Sequence, residues 1–172
     1  MSESPKGFRA YAEVKAVVSN ESCENTTTLY VASADGQAYR AVYSVRPTTS
    51  DGNGIRLIGW SPNGDRLLAE VNLWRYESEG FSHAVVVYDA STRLAKEVDP
   101  DTALSRHFGS NCEYELSVES WKTDEQIIVK ALKSPQDESY EQHFCVKTPQ
   151  RFLFDPQKGA LQLVTEESRK TK

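Results

Sequence analysis

The sequence predicts an all-β fold, and three observations predict it. From Phe8 the apolar residues fall at every second position, Phe8, Ala10, Ala12, Val14, Ala16 and Val18, which is the period of a half-buried strand. Two segments then repeat one pattern of short strands. The first runs from Ile55 to Val71 and closes in Val85-Val86-Val87-Tyr88-Asp89, and the second runs from Tyr114 to Leu132 and closes in Phe152-Leu153-Phe154-Asp155. Trp60 and Trp121 end a strand at the same point of each, and Asp89 and Asp155 open the same turn. Each segment is a small antiparallel sheet that cannot bury both faces alone, so it must stack on a neighbour. Two clear sheets and a partial one make an incomplete β-propeller-like stack of antiparallel sheets, with too few blades to close a ring.

Taken in order, residues 1–7 read as a flexible tail and Phe8–Val18 as the first strand. Ser19–Thr28 is polar and reads as a loop. Leu29–Ser33 and Tyr39–Val45 flank Asp35-Gly36, a hairpin signal. Pro47–Gly54 reads as a turn-rich connector. Ile55–Gly59 and Arg66–Leu73 are strands joined through Ser61-Pro62-Asn63-Gly64-Asp65, in which Asn-Gly accepts the positive φ of a tight turn. An excursion over Trp74–Ser82 separates them from strands at His83–Tyr88 and Leu94–Val98. Asp99-Pro100-Asp101 opens one short helical turn through Ala103-Leu104. Strands follow at Tyr114–Val118, Gln126–Leu132, His143–Val146, Arg151–Phe154 and Leu161–Val164. Residues 165–172 read as a second tail of a single domain.

Composition narrows the function. The 172 residues carry a net charge of −5, which argues against a nucleic-acid partner because phosphate binding needs a clustered basic surface. No apolar run reaches membrane-spanning length. The first residues lack the basic start and apolar stretch of a secretory signal, so the compartment reads as periplasmic if a leader was removed and cytoplasmic otherwise. Cys23, Cys112 and Cys145 match no zinc or redox spacing. They fit either buried thiols or one disulfide, and Cys112 with Cys145, both in the second segment, is then the preferred pair. Asn20-Glu21-Ser22 and Asn25-Thr26-Thr27 fit the glycosylation sequon.

No catalytic motif stands out. His143 and Cys145 share one side of a strand, yet a nucleophile pair also needs an electropositive cleft and an oxyanion site. His83, His107 and His143 occur singly, without metal-ligand spacing. Glu119 with Asp124, and Asp137 with Glu138, read as solvated acids. Neither a cofactor nor a metal is expected, and the chain does not read as an enzyme.

Binding surfaces give the stronger signal. The excursion after Leu73 gathers Trp74, Arg75, Tyr76 and Phe81, residue types that dominate interface hot spots because rings bury much area at low entropic cost. The competing reading has Trp74 and Phe81 folding back over the blade edge. The connector Ser105–Cys112 adds His107, Phe108, Gly109, Ser110 and Asn111, either as a loop able to enter a concave site or as a plain link. Trp60 and Trp121 belong to packing between blades.

Gly59-Trp60-Ser61-Pro62-Asn63-Gly64-Asp65-Arg66-Leu67-Leu68 resembles the WD40-like blades of the TolB type, and Val87-Tyr88-Asp89-Ala90-Ser91-Thr92 is similar to the third strand and turn of that blade. The length, all-β character and Trp-Ser-Pro-Asn-Gly signature also resemble small periplasmic immunity proteins that protect bacteria from type VI secreted peptidoglycan amidases. That resemblance implies a protein partner, a peptidoglycan hydrolase, blocked by a loop placed in its cleft. The role would fall on His107, Gly109, Ser110 and Asn111, helped by Trp74 and Tyr76. The alternative is an assembly module pairing through open blade edges, as in a homo-oligomer.

Overall fold

Twelve strands and one helix are laid out in three four-stranded antiparallel sheets in a computed structural model that describes residues 1–18, 23–36, 38–45, 51–75, 81–109, 112–133 and 146–164. The first sheet takes β1 (Ser2–Glu3), β2 (Arg9–Val18), β3 (Cys23–Ala32) and β4 (Tyr39–Val45). The second takes β5 (Asp51–Trp60), β6 (Arg66–Arg75), β7 (Phe81–Asp89) and β8 (Leu94–Val98). Helix α1 (Pro100–Phe108) leads to the third, with β9 (Glu115–Trp121), β10 (Ile127–Leu132), β11 (Gln150–Asp155) and β12 (Ala160–Leu163). Within each sheet every strand pairs with its sequence neighbour, the up-and-down order of a propeller blade. The fold is therefore all-β and blade-like, and none of the sheets closes on itself.

Strand alternation builds the stack. On β6, Leu67, Ala69 and Val71 face the first sheet, where they bury with Ala10, Leu29 and Val31. The intervening Leu68 faces the third sheet and packs with Leu116, Val118, Ile127, Val129, Phe152 and Phe154. On β7, Val86 and Tyr88 point one way and Val85 the other. The middle blade is thus apolar on both faces, as a sheet covered on both sides must be. The two outward faces differ. The first sheet shows Tyr11 stacked on Tyr30 at 5.0 Å, with Tyr39 edge-on to Tyr11 at 4.8 Å. On the third, Glu119 pairs with Lys130 and Arg151.

Several expectations need correction. Residues 1–7, read as a tail, hold β1 and a turn in which the Ser4 hydroxyl accepts from the Lys6 and Phe8 amides. Cys23–Thr28, read as loop, belongs to β3 because its polar residues turn inward: Asn25 and Thr27 are buried against Asn53. Asp51–Gly54, read as connector, is the start of β5 for the same reason. The helix runs nine residues rather than one turn. Of the strand expected at His143–Val146, residues 143–145 lie outside the described residues, and Val146 is buried but in no strand. The tail expected at 165–172 also lies outside them.

Candidate functional site

Antiparallel order gives the stack two ends of different construction. At one end lie the short turns that begin at Ser4, Ser33, Ser61, Asp89, Trp121 and Asp155. At the other lie the strand ends Val18, Val45, Arg75, Val98 and Leu132, from which the remaining connections depart.

The turn end is stitched across blades. Ser61 repeats the Ser4 geometry: its hydroxyl accepts from the Arg66 amide at 3.0 Å, and its carbonyl accepts from the Gly64 amide at 2.8 Å. Lys6 of the first blade pairs with Asp65 of the second at 2.6 Å. The Asn63 amide donates to Asp124 Oδ1 of the third blade at 2.7 Å, and Arg66 Nη1 donates to the Asp124 carbonyl at 2.9 Å. Trp121 Nε1 donates to the Gly59 carbonyl at 3.1 Å, while Trp60 stacks on Phe8 and meets Tyr88 edge-on. Both tryptophans serve packing between blades, as their matching positions foretold. Asp124, read as a solvated acid, is instead hydrogen-bonded within this framework, and Glu119, read likewise, is ion-paired with Lys130 and Arg151 of its own sheet.

Two of these turns hold carboxylates below their usual range. Burial alone would raise Asp89, but donors from the Ser91 side chain and amide, the Thr92 amide and Arg66 outweigh it. For Asp155 burial is likewise overcome by Lys158 and by the Lys158 and Gln157 amides.

At the loop end, register sets Trp74 opposite Gly52 on β5 and Phe81 on β7. The indole lies flat on β5, where a Cβ added at Gly52 would sit 2.2 Å from Trp74 Nε1 and one at Gly54 would sit 3.4 Å from the ring. Only glycine leaves room for that approach. Trp74 remains 41% exposed, so it covers the strand with one face and shows the other to solvent. Arg75 and Phe81 occupy strand ends but their side chains lie outside the description, and Tyr76 lies outside the described residues altogether.

Helix α1 positions the other candidates at the same end. Asp99 caps its N-terminus by accepting from the Thr102 amide at 2.8 Å, with Pro100 in the first turn, and the Gly109 amide closes the C-terminus on the Ser105 carbonyl. Gly109 has φ +94° and is exposed. His107 meets buried Phe152 edge-on at 5.1 Å and Phe108 at 4.9 Å. Phe108 packs on Phe152 and Tyr114, so these two rings are anchors of a helix rather than members of a free loop. The Tyr114 phenol sits 2.8 Å from Ser105 Oγ and 2.9 Å from Asp101 Oδ1; burial, then the Asp101 hydrogen bond, pushes its pKa up to about 12. Ser110, Asn111, His143 and Cys145 lie outside the described residues.

Among solved structures, two of Pyrococcus horikoshii acylaminoacyl peptidase, one uncomplexed and one in an orthorhombic crystal form, align with TM-score 0.47 and 16% identity over 93% and 96% of this chain. The chain spans only 23% and 24% of those structures. No family model and no curated protein matches.

Sequence reasoning overlooked Gly52, Gly54 and Tyr114. A glycine pair facing a tryptophan becomes legible only once strand register is known. Among the described residues no cluster of His, Cys, Asp or Glu could hold a metal ion, and no helix is long and apolar enough to cross a membrane. Asn25, one of the two sequon asparagines, is buried with its amide donating to the Asn53 carbonyl, so the folded chain offers no acceptor there.

Proposed function

We propose that this chain is a non-enzymatic protein-binding module whose contact face is the loop end of the stack. The observation that carries the reading is the difference between the ends. Both ends are bonded between blades, but the turn end closes in short turns tied to their neighbours, whereas the loop end also presents half-exposed Trp74 and exposed His107. Rigid sheets that hold variable loops at one edge are a common design for recognition.

Most concretely, the partner is a cell-wall hydrolase and the chain its periplasmic inhibitor or immunity protein, acting by a loop set in the enzyme's cleft. A disulfide-bonded Cys112 fits an oxidising compartment of that kind. The test is capture of a hydrolase from the native extract, followed by inhibition assays with the purified pair. Trp74→Ala with His107→Ala is expected to weaken inhibition at least about tenfold, the scale of a lost hot spot. Undiminished inhibition by the double variant would overturn the reading.

A further inference from the structure

The first blade has an open edge. β3 pairs with β2 along its whole length, from Arg9 to Val18, but on the other side β1 meets only Arg9 and Ala10. In the middle blade the equivalent inner strand, β5, is ten residues long and pairs along β6 from Arg75 to Leu67. Among the described residues, then, no strand occupies the inner side of β2 from Tyr11 to Val18. An edge of that length displays unpaired amides and carbonyls and invites another strand.

The residues on this edge specify which strand. Val14 is 58% exposed, unusual for a valine in mid-strand. It is flanked by Glu13 and Lys15, which point to the same face and pair with each other at 3.3 Å within the strand. When a second β2 is laid antiparallel about Val14, Val14 falls opposite Val14, Ala12 opposite Ala16, and Glu13 opposite Lys15 on both sides of the axis. Opposite charges facing each other across strands are stabilising, and like charges are not. The segment is therefore complementary to itself in this register. The fit spans Tyr11 to Val17 of each copy, because Val18 would meet Ala10, whose free side that copy's own Ser2 already takes.

We infer that this edge is a homodimer contact: two copies join β2 to β2, antiparallel about Val14, into one continuous sheet. The contact is isologous, as a two-fold dimer requires. It uses neither Trp74 nor His107, so it stands or falls apart from the binding face proposed above.

Sedimentation equilibrium of the whole chain over a wide concentration range tests it, with two charge reversals. Glu13→Lys sets lysine against lysine across the axis, and Lys15→Glu sets glutamate against glutamate. The wild type is expected to dimerise, and each variant alone to be monomeric with an unchanged circular dichroism spectrum. An equimolar mixture of the two variants regains opposite charges at both positions and is expected to dimerise again. A wild type that stays monomeric, a dimer that survives both single reversals, or variants that fail to associate when mixed would each overturn the inference. Trp74→Ala is expected to leave the dimer unchanged.

Discussion

The two ends of the blade stack are made by the same strands but differ in how their polar groups are arranged. At the turn end, Lys6, Asn63, Arg66, Asp124 and Trp121 all spend donors or acceptors on a neighbouring blade. At the loop end the bonding between blades is concentrated in two places. Asn25 and Asn53 exchange three hydrogen bonds between side chain and backbone inside the interface of the first two sheets, and Thr27 adds two more to Asn53. Nearer the outer strands, the Tyr43 hydroxyl donates to Glu97; burial, then that bond, drives the Tyr43 pKa well up. The rest of that end is left to Trp74 and α1. The comparison teaches that an open stack can tie its blades together at both ends and still leave part of one rim, Trp74 and the outer side of α1, exposed for contact.

The largest expected effect comes from the loop-end knot. Asn53→Ala strands the buried Asn25 carbonyl and the Thr27 amide, each worth about 1–3 kcal/mol when left without a partner. Chemical denaturation should show a loss of about 3 kcal/mol. Next, Ser61→Ala removes the acceptor of the Arg66 amide in a turn that is almost wholly buried at Ser61, and about 1–2 kcal/mol is expected by the same assay. Trp121→Phe keeps the ring but deletes the donor to Gly59 and should cost about 1 kcal/mol. If these turn-end changes cost nothing, the stitching is decorative and the contrast between the ends fails.

Acid sharpens the contrast further. Asp89 and Asp155 have folded pKa values held below the unfolded value of about 3.9. Carboxylates of this kind add stability above that pH and lose it as pH falls through their folded values. Melting temperature should therefore drop below about pH 4, and Asp89→Asn should flatten the drop. The smallest effect belongs to the β7–β8 turn, where Arg93 adopts φ +59°, the place that Gly159 takes at +62° in the matching turn of the third blade. Arg93→Gly relieves a left-handed side chain at some cost in chain entropy, for a net gain of about 0.5 kcal/mol.

Arg93 and Gly159 also show what the sequence made legible. The repeat that aligns Asp89 with Asp155 and Trp60 with Trp121 was visible as pattern, and it carried the fold class. The alternation of Phe8–Val18 and the hairpin at Asp35-Gly36 were visible too. The opening blade was harder to see. Ser4-Pro5-Lys6-Gly7 repeats the Ser61-Pro62-Asn63-Gly64 turn, but Glu3 stands where Trp60 does and no apolar strand leads into it. Asn25, Thr27 and Asn53 look like loop residues because their polarity is satisfied across blades, a relation that local patterning cannot express. At the candidate site the tryptophan was legible as residue type, but its seat on Gly52 and Gly54 depended on register. His107 and Phe108 were legible as candidates, yet the helix that holds them depends on Tyr114 and Phe152 closing against it.

The central claim is that contact belongs to the loop end. The most direct measurement is the dissociation constant of the captured partner for two double variants in parallel. One carries Trp74→Ala and His107→Ala; the other carries Lys122→Ala and Gln157→Ala, exposed residues of the turn end. The account predicts that the first binds at least about tenfold more weakly and that the second stays within about twofold of the parent. Equal binding by both variants, or a loss confined to the turn-end variant, would contradict it.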